Sequence, residues 1–169
     1  RKAGTRVALH PVSKATLSIP LIRSEVEASG KSYDYHLISQ KTETAPATVS
    51  QQFSLAGDTH FLHVIALHEA DKKPYVLEDR WINSSVMPHV AHVNFSTLSA
   101  NEWLLQNTPF THGDIDFGAK NASKQEARFL ATDIGKALFV ISRTTWDHEA
   151  ALTTVKLVFH AGYCKHAKL

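Results

Sequence analysis

A chain of 169 residues with 43% hydrophobic and 20% charged residues has the size and balance of one globular domain with a sizeable core, or one domain plus a stub. Its net charge of +2, with eleven histidines counted as neutral, is too small to argue for nucleic-acid binding by the chain itself. The single cysteine, Cys164, excludes an intrachain disulfide; with no apolar run near the ~20 residues of a membrane span and no signal-peptide pattern, a cytoplasmic protein without a membrane partner is expected.

Along the chain, Arg1 to Ala8 reads as a turn and short strand around Gly4. A helix follows, with Ser18 as N-cap, Pro20 in its first turn, an apolar stripe of Ile19, Leu21, Ile22 and Val26, and Gly30 closing it in a left-handed conformation. Tyr33–Gln40 alternates aromatic and apolar residues with polar ones, as a strand does, and Thr44–Ser54 predicts a short helix capped by Thr44 with Pro46 in its first turn. Asp58–Glu69 and Pro74–Asn83 predict two strands joined by a polar turn at Ala70–Lys73. Ser84–Phe95 is irregular or weakly helical.

Ser99–Gln106 carries a capping-box pattern, Ser99 at the N-cap and Glu102 at N3. His112–Lys120 predicts a strand, and Ser123–Thr132 a helix capped by Ser123 or Asn121. Two last strands, Lys136–Asp147 and Ala150–His160, flank a short turn, and the run Ala137 to Ile141 suggests burial on both faces of the first. About six strands, mostly in hairpins, with three or four short helices and no long βαβ crossovers favour an α+β fold with a mostly antiparallel sheet.

Metal binding is the first chemistry that eleven histidines raise. His60 and His63 point to opposite faces of a strand and cannot share an ion; His89 and His92 lack an acidic third ligand, and no His-Glu-x-x-His is present. No Gly-x-Ser-x-Gly elbow frames a nucleophile, and the seven glycines form no phosphate loop, so no catalytic residue and no cofactor is assigned. The better constellation lies on the sheet. Leu62, Val64, Ala66 and His68 share one strand face, Glu78 and Arg80 another, and Thr153, Val155, Leu157 and Phe159 a third. If these faces meet, they offer imidazole, carboxylate, guanidinium, hydroxyl and an aromatic wall, a lining suited to a small, planar, polar ligand. The alternative is an exposed Glu78–Arg80 ion pair worth ~0–1 kcal/mol.

The string Pro74-Tyr75-Val76-Leu77-Glu78-Asp79-Arg80-Trp81-Ile82-Asn83, followed by Asn101-Glu102-Trp103-Leu104-Leu105 and Ser142-Arg143-Thr144-Thr145-Trp146, resembles the C-terminal effector-binding (UTRA) domain of GntR-family transcription regulators. Within that superfamily it is most similar to the histidine-utilisation repressors of the HutC subfamily, over about Leu17 to His160. Arg1 to Ala8 resembles the end of the wing hairpin of the family's winged-helix domain, which implies a wing and linker remnant at residues 1–12 and the UTRA domain at residues 13–169. The resemblance implies a chorismate-lyase-like α+β domain, a homodimer, that binds a metabolite and shifts the DNA affinity of a winged-helix head preceding Arg1, with no chemistry of its own.

For this subfamily the implied effector is urocanate, its carboxylate at Arg80 or at the helix start capped by Ser99, its imidazole near Glu78 or His68 and stacked on Phe159. Ala66 and His68 fall where sugar-phosphate-sensing relatives carry an Arg-x-Arg pair, which argues against a sugar phosphate. Glu78 falls on their ligand-contacting glutamate, and Ser99, Thr153 and Phe159 on further pocket positions. A one-residue slip in the last strand would turn Thr153 and Phe159 to the wrong face. The second reading is a small-molecule lyase-type enzyme on the same fold.

Overall fold

The computed structural model describes residues 21–53 and 59–165. Ser18, Pro20, Asp58 and the predicted wing remnant at residues 1–12 lie outside the described residues. The order of elements is α1 (Ile22–Ala28), β1 (Tyr33–Thr44), α2 (Ala47–Gln52), β2 (His60–Ala70), β3 (Lys73–Asn83), a 3₁₀ turn (Pro88–His92), α3 (Ala100–Asn107), β4 (His112–Asn121), α4 (Lys124–Phe129), β5 (Ala137–Asp147) and β6 (Ala150–Phe159). The strands form one six-stranded sheet in the order β1-β2-β3-β6-β5-β4, every neighbouring pair antiparallel. None of the described helices is long and apolar enough to cross a membrane.

Local chemistry explains most element boundaries. The β2–β3 turn is tight because Asp71 and Lys72 both take positive φ, 50° and 61°, the backbone of the two-residue hairpin whose twist matches its strands. Ser99 and Ser123 each accept from the backbone N–H three residues on, and Glu102 and Glu126 reach back to the cap N–H, so the predicted capping box at Ser99 forms, Ser123 rather than Asn121 is the second cap, and it too makes a capping box. Gly30 closes α1 at φ 78°.

Three expectations change. Thr44 ends β1 and does not cap a helix; Pro46, which lacks an N–H and has a fixed φ, stands at the N-cap of α2. The helix predicted to reach Thr132 stops at Phe129, because Ala131 turns left-handed at φ 48°. Strand β1 runs four residues past Gln40, carried by pairing with β2 through a register shift between Leu37 and Ser39.

Apart from the exposed edge strand β4, the sheet is covered on both faces. On one, α1, the 3₁₀ turn and α3 cover two apolar groups, one around Leu62, Val64, Ile82, Phe95 and Leu104, the other around Val76, Ile141, Val155, Leu157 and Phe159. On the other, α2 packs by Phe53, Phe61 and Trp81, and α4 by Ala127, Leu130, Leu138 and Val158. A polar clamp on this second face ties the first three strands. His63 Nδ1 lies 2.6 Å from Glu43 of β1 and Nε2 lies 2.8 Å from Asp79 of β3, with the ring stacked on Trp81 at 3.8 Å.

Burial alone would lower the His63 pKa, but the bonds to Asp79 and Glu43 outweigh it and raise the value. A raised histidine contributes stability that is complete below its unfolded-state pKa of about 6.5 and is lost as pH rises through the folded value. Glu43 and Asp79 are both partly solvated, so the contribution is at most about 1 kcal/mol. Urea denaturation across a pH series should therefore show wild type losing stability relative to His63→Gln as pH rises above about 6.5; parallel profiles would remove the clamp.

Candidate functional site

Strand register decides which side chains meet. In the β2–β3–β6 set, Ala66 pairs with Glu78 and Glu78 with Leu157; Val64 pairs with Arg80 and Arg80 with Val155. His68 is opposite Val76, Val76 opposite Phe159, and Ile82 opposite Thr153. The three predicted faces are thus one surface, and Thr153 and Phe159 are in the register that puts them on it.

Glu78 and Arg80 are each 1% exposed, which excludes the alternative of a solvated surface pair. They belong to a linear network beneath α1 and α3. Tyr33 Oη is 2.8 Å from His68 Nδ1, and His68 Nε2 is 2.8 Å from one Glu78 carboxylate oxygen; the other Glu78 oxygen accepts from Arg80 Nε. An ionised carboxylate only accepts, so the His68 Nε2–H donates to Glu78, and Nδ1 shares the second hydrogen bond of the ring with the Tyr33 hydroxyl. Burial pushes the Glu78 carboxyl up, but the Arg80 charge and the bonds from His68 and Arg80 overcome this and hold it well below the usual carboxylate range.

The remaining Arg80 nitrogens reach Thr153 Oγ1 at 3.4 Å and Asn101 Oδ1 at 3.3 Å. Thr153 itself donates to the Trp81 carbonyl at 2.9 Å. Asn101, in the first turn of α3, accepts from a second guanidinium as well, that of Arg143 on β5. Arg143 is brought there by its pairing with Val155, the same residue that pairs with Arg80. Burial, and then the Arg80 charge, lower the Arg143 pKa to about 10. Its Nε is buried with no hydrogen-bond partner, as is the hydroxyl of Tyr35, which lies beside the His68 ring.

Ser99 lies at the rim, but its hydroxyl is committed to the Glu102 carboxylate at 2.7 Å, and Glu102 also accepts from Arg23 of α1 at 2.6 Å. The start of α3 thus already holds an anion, contrary to the expectation of a free N-terminus there. Phe159 stacks on Tyr163 at 3.9 Å. Two small cavities, of 20 and 10 Å³, open on the network. Arg80, Asn101, Arg143, Leu157 and Phe159 line the first; Tyr33, His68, Ser99 and Asn101 line the second; Ile22 of α1 lines both. Each admits no more than about one water, so α1 forms a closed roof.

That roof is tied down at its middle. The Glu25 carboxylate accepts from Tyr75 at 2.7 Å and Tyr163 at 2.8 Å, and pairs with Lys165. Among the described residues no group of three or more His, Cys, Asp or Glu side chains is placed to hold a metal ion, and His89 and His92 are exposed on the 3₁₀ turn.

The profile of the UTRA domain matches residues 28–163. The chain belongs to the UTRA domain family. It is 25% identical over 159 residues to the histidine utilization repressor of Pseudomonas putida, covering 94% of this chain and 64% of that protein. Against the histidine utilization repressor of Klebsiella aerogenes it is 22% identical over 156 residues, covering 92% and 65%. This UTRA domain thus spans just under two thirds of the length of these relatives. The C-terminal domain of the histidine utilization repressor of Pseudomonas syringae pv. tomato superposes with a TM-score of 0.76 at 23% identity, over 82% of this chain and 99% of that one. The effector domain of PhnF from Mycobacterium smegmatis gives 0.75 at 16% identity, over 89% and 98%.

Sequence reasoning missed Arg143, Asn101 and the two tyrosines Tyr33 and Tyr35. Arg143 was visible only as part of a family-like string, and no pattern in β5 marks it as inward-facing without the register.

The Glu78 ion pair yields a direct prediction. Glu78→Leu leaves Arg80 buried without its carboxylate and should cost about 3–5 kcal/mol in denaturant unfolding. Because the folded pKa of Glu78 is depressed, its contribution is present above the unfolded carboxylate value of about 4.3 and is lost as pH falls below it toward the folded value. Wild type should consequently lose stability more steeply than Glu78→Gln on acidification below about pH 4.3; equal slopes would show that Glu78 is not held ionised.

Proposed function

We propose that this UTRA domain is the effector-sensing part of a transcriptional repressor of histidine utilisation and that its effector is urocanate. The observation that carries the reading is the buried chain His68–Glu78–Arg80, roofed by α1 and flanked by two unpartnered polar groups, Tyr35 Oη and Arg143 Nε. Urocanate is flat, with an imidazole at one end and a carboxylate at the other. The end of the network at Tyr33, Tyr35 and His68 offers hydroxyl and imidazole partners for the ring, and the end at Arg80 and Arg143 offers guanidiniums for the acid. Phe159, Leu157 and Ile141 supply an apolar wall beside the arginines. His68, Glu78, Arg80, Ser99, Thr153 and Phe159 all belong to this site, with Glu78, Thr153 and Ser99 holding other residues in position. The similarity to histidine utilization repressors over more than nine tenths of the chain supports the same assignment.

The second reading, a lyase-type enzyme, needs a group that exchanges protons near neutral pH. Glu78 is held ionised with both oxygens engaged, which suits recognition and not general acid catalysis. In the sensor reading the ligand acts through its different affinity for two states of the protein, one with α1 docked and one with it displaced. The DNA contact belongs to a winged-helix domain preceding this one, and the working unit is a homodimer.

Thermal unfolding and calorimetry of the domain test the effector. Urocanate at about 100 times its Kd stabilises by about 2.7 kcal/mol, a Tm rise of roughly 5–10 °C for a domain of this size. A hexose 6-phosphate should give none. No shift at millimolar urocanate would exclude it as the effector.

A further inference from the structure

Of the two guanidiniums at Asn101, only one has a counter-charge. Arg80 is paired with Glu78, and among the described residues no other carboxylate is bonded to either arginine. Among the described residues Arg143 forms no salt bridge, although Glu25 lines the same cavity; Glu25 is taken by Lys165, Tyr75 and Tyr163. Among the described residues the one hydrogen-bond partner of the Arg143 side chain is the neutral Asn101 oxygen, which it shares with Arg80. Its Nε–H is buried without an acceptor.

Keeping a second cation beside Arg80 under these conditions is unfavourable for folding, and a core built for stability would carry a neutral or apolar residue there. The Nε–H and an adjacent Nη–H form the two-pronged edge that a planar carboxylate accepts from bidentately. The residue lines the cavity next to Ile141, Leu157 and Phe159, an apolar wall.

We propose that Arg143, and not Arg80, is the group that binds the effector's carboxylate, and that it restricts the site to planar monocarboxylates. This rests on the sensor reading above and names the group responsible for acid recognition in that site. One unpaired guanidinium balances one negative charge. A phosphate dianion would leave a charge uncompensated beside the ionised Glu78.

The test is calorimetry of the domain with a panel of planar acids, urocanate, trans-cinnamate and imidazole-4-carboxylate, and with the neutral primary amides of the first two. In wild type the acids should bind more tightly than their amides. Arg143→Gln should weaken the acids about 10- to 100-fold, the usual range for a charge-assisted bond, while leaving amide affinity within about twofold. The same variant should melt no lower than wild type, since it removes a half-buried cation that stands beside a second guanidinium; a group kept for structure would lower the Tm. Lys72→Ala on the exposed hairpin serves as the charge control and should change neither affinity.

If Arg143→Gln fails to fold, Arg143→Lys, which keeps the charge but not the two-pronged edge, takes its place: a narrowed acid–amide difference supports the proposal and an unchanged one overturns it. Equal weakening of acid and amide, or none of either, would overturn Arg143 as the carboxylate group while leaving the sensor reading intact. Failure of wild type to bind any planar acid would instead overturn the sensor reading and this inference with it.

Discussion

The buried carboxylate of Glu78 organises this domain. An ionised group with 1% exposure persists only if its oxygens are fully engaged, and here the engagement reaches across the sheet: His68 from β2 on one side, Arg80 from its own strand on the other. Each partner then needs partners of its own. Tyr33 completes His68, while Thr153 and Asn101 complete Arg80, so one desolvated charge fixes the relative placement of β1, β2, β3, β6 and α3. The apolar groups on either side fill the same face without specifying it; many Leu, Val and Phe arrangements would do so equally well. The polar network is what makes the surface particular.

Much of the fold was legible because the signals were local. Two capping boxes are set by residues three apart, and the Asp71–Lys72 turn by four adjacent ones. Alternation then placed Glu78 and Arg80 on one face and His68 on a neighbouring one. The limit came where register depended on a single inserted residue. Counting back from the β5–β6 turn, where Asp147 faces Ala150, would set Arg143 opposite Thr154 and on the wrong face of the sheet. The irregularity between Thr145 and Trp146 moves the pairing by one and sets Arg143 opposite Val155. A bulge of this kind has no compositional mark, so the residue closest to Asn101 stayed hidden. Exposure was left with an alternative for a related reason. Charged residues usually face water, and only the converging partners from other strands reveal that Glu78 and Arg80 do not.

The helix boundaries that moved also have local causes. Pro46 stops β1 from continuing, yet the strand runs nearly to it because β2 supplies a pairing partner along the whole length. Thr44 has the chemistry of a cap and the position of a strand end, and tertiary pairing decided between the two. Ser99 and Glu102 illustrate the reverse. Their local pattern was read correctly, and the same pattern, by placing the Glu102 carboxylate over the helix start, withdraws that site from anion binding.

The roof over the network has a quantitative consequence for sensing. Ile22 fills the space shared by the two cavities, and Glu25 holds α1 through two tyrosine hydroxyls and a lysine. A ligand too large for a single water's volume reaches the arginines only when that roof is lifted, so its apparent affinity is the intrinsic one scaled by the fraction of molecules in which α1 is undocked. In the sensor reading, the strength of the three contacts to Glu25 therefore sets the metabolite concentration at which the domain responds. Threshold and selectivity thus rest on different side chains that meet at one cavity, where Glu25 and Lys165 stand beside Arg80 and Arg143.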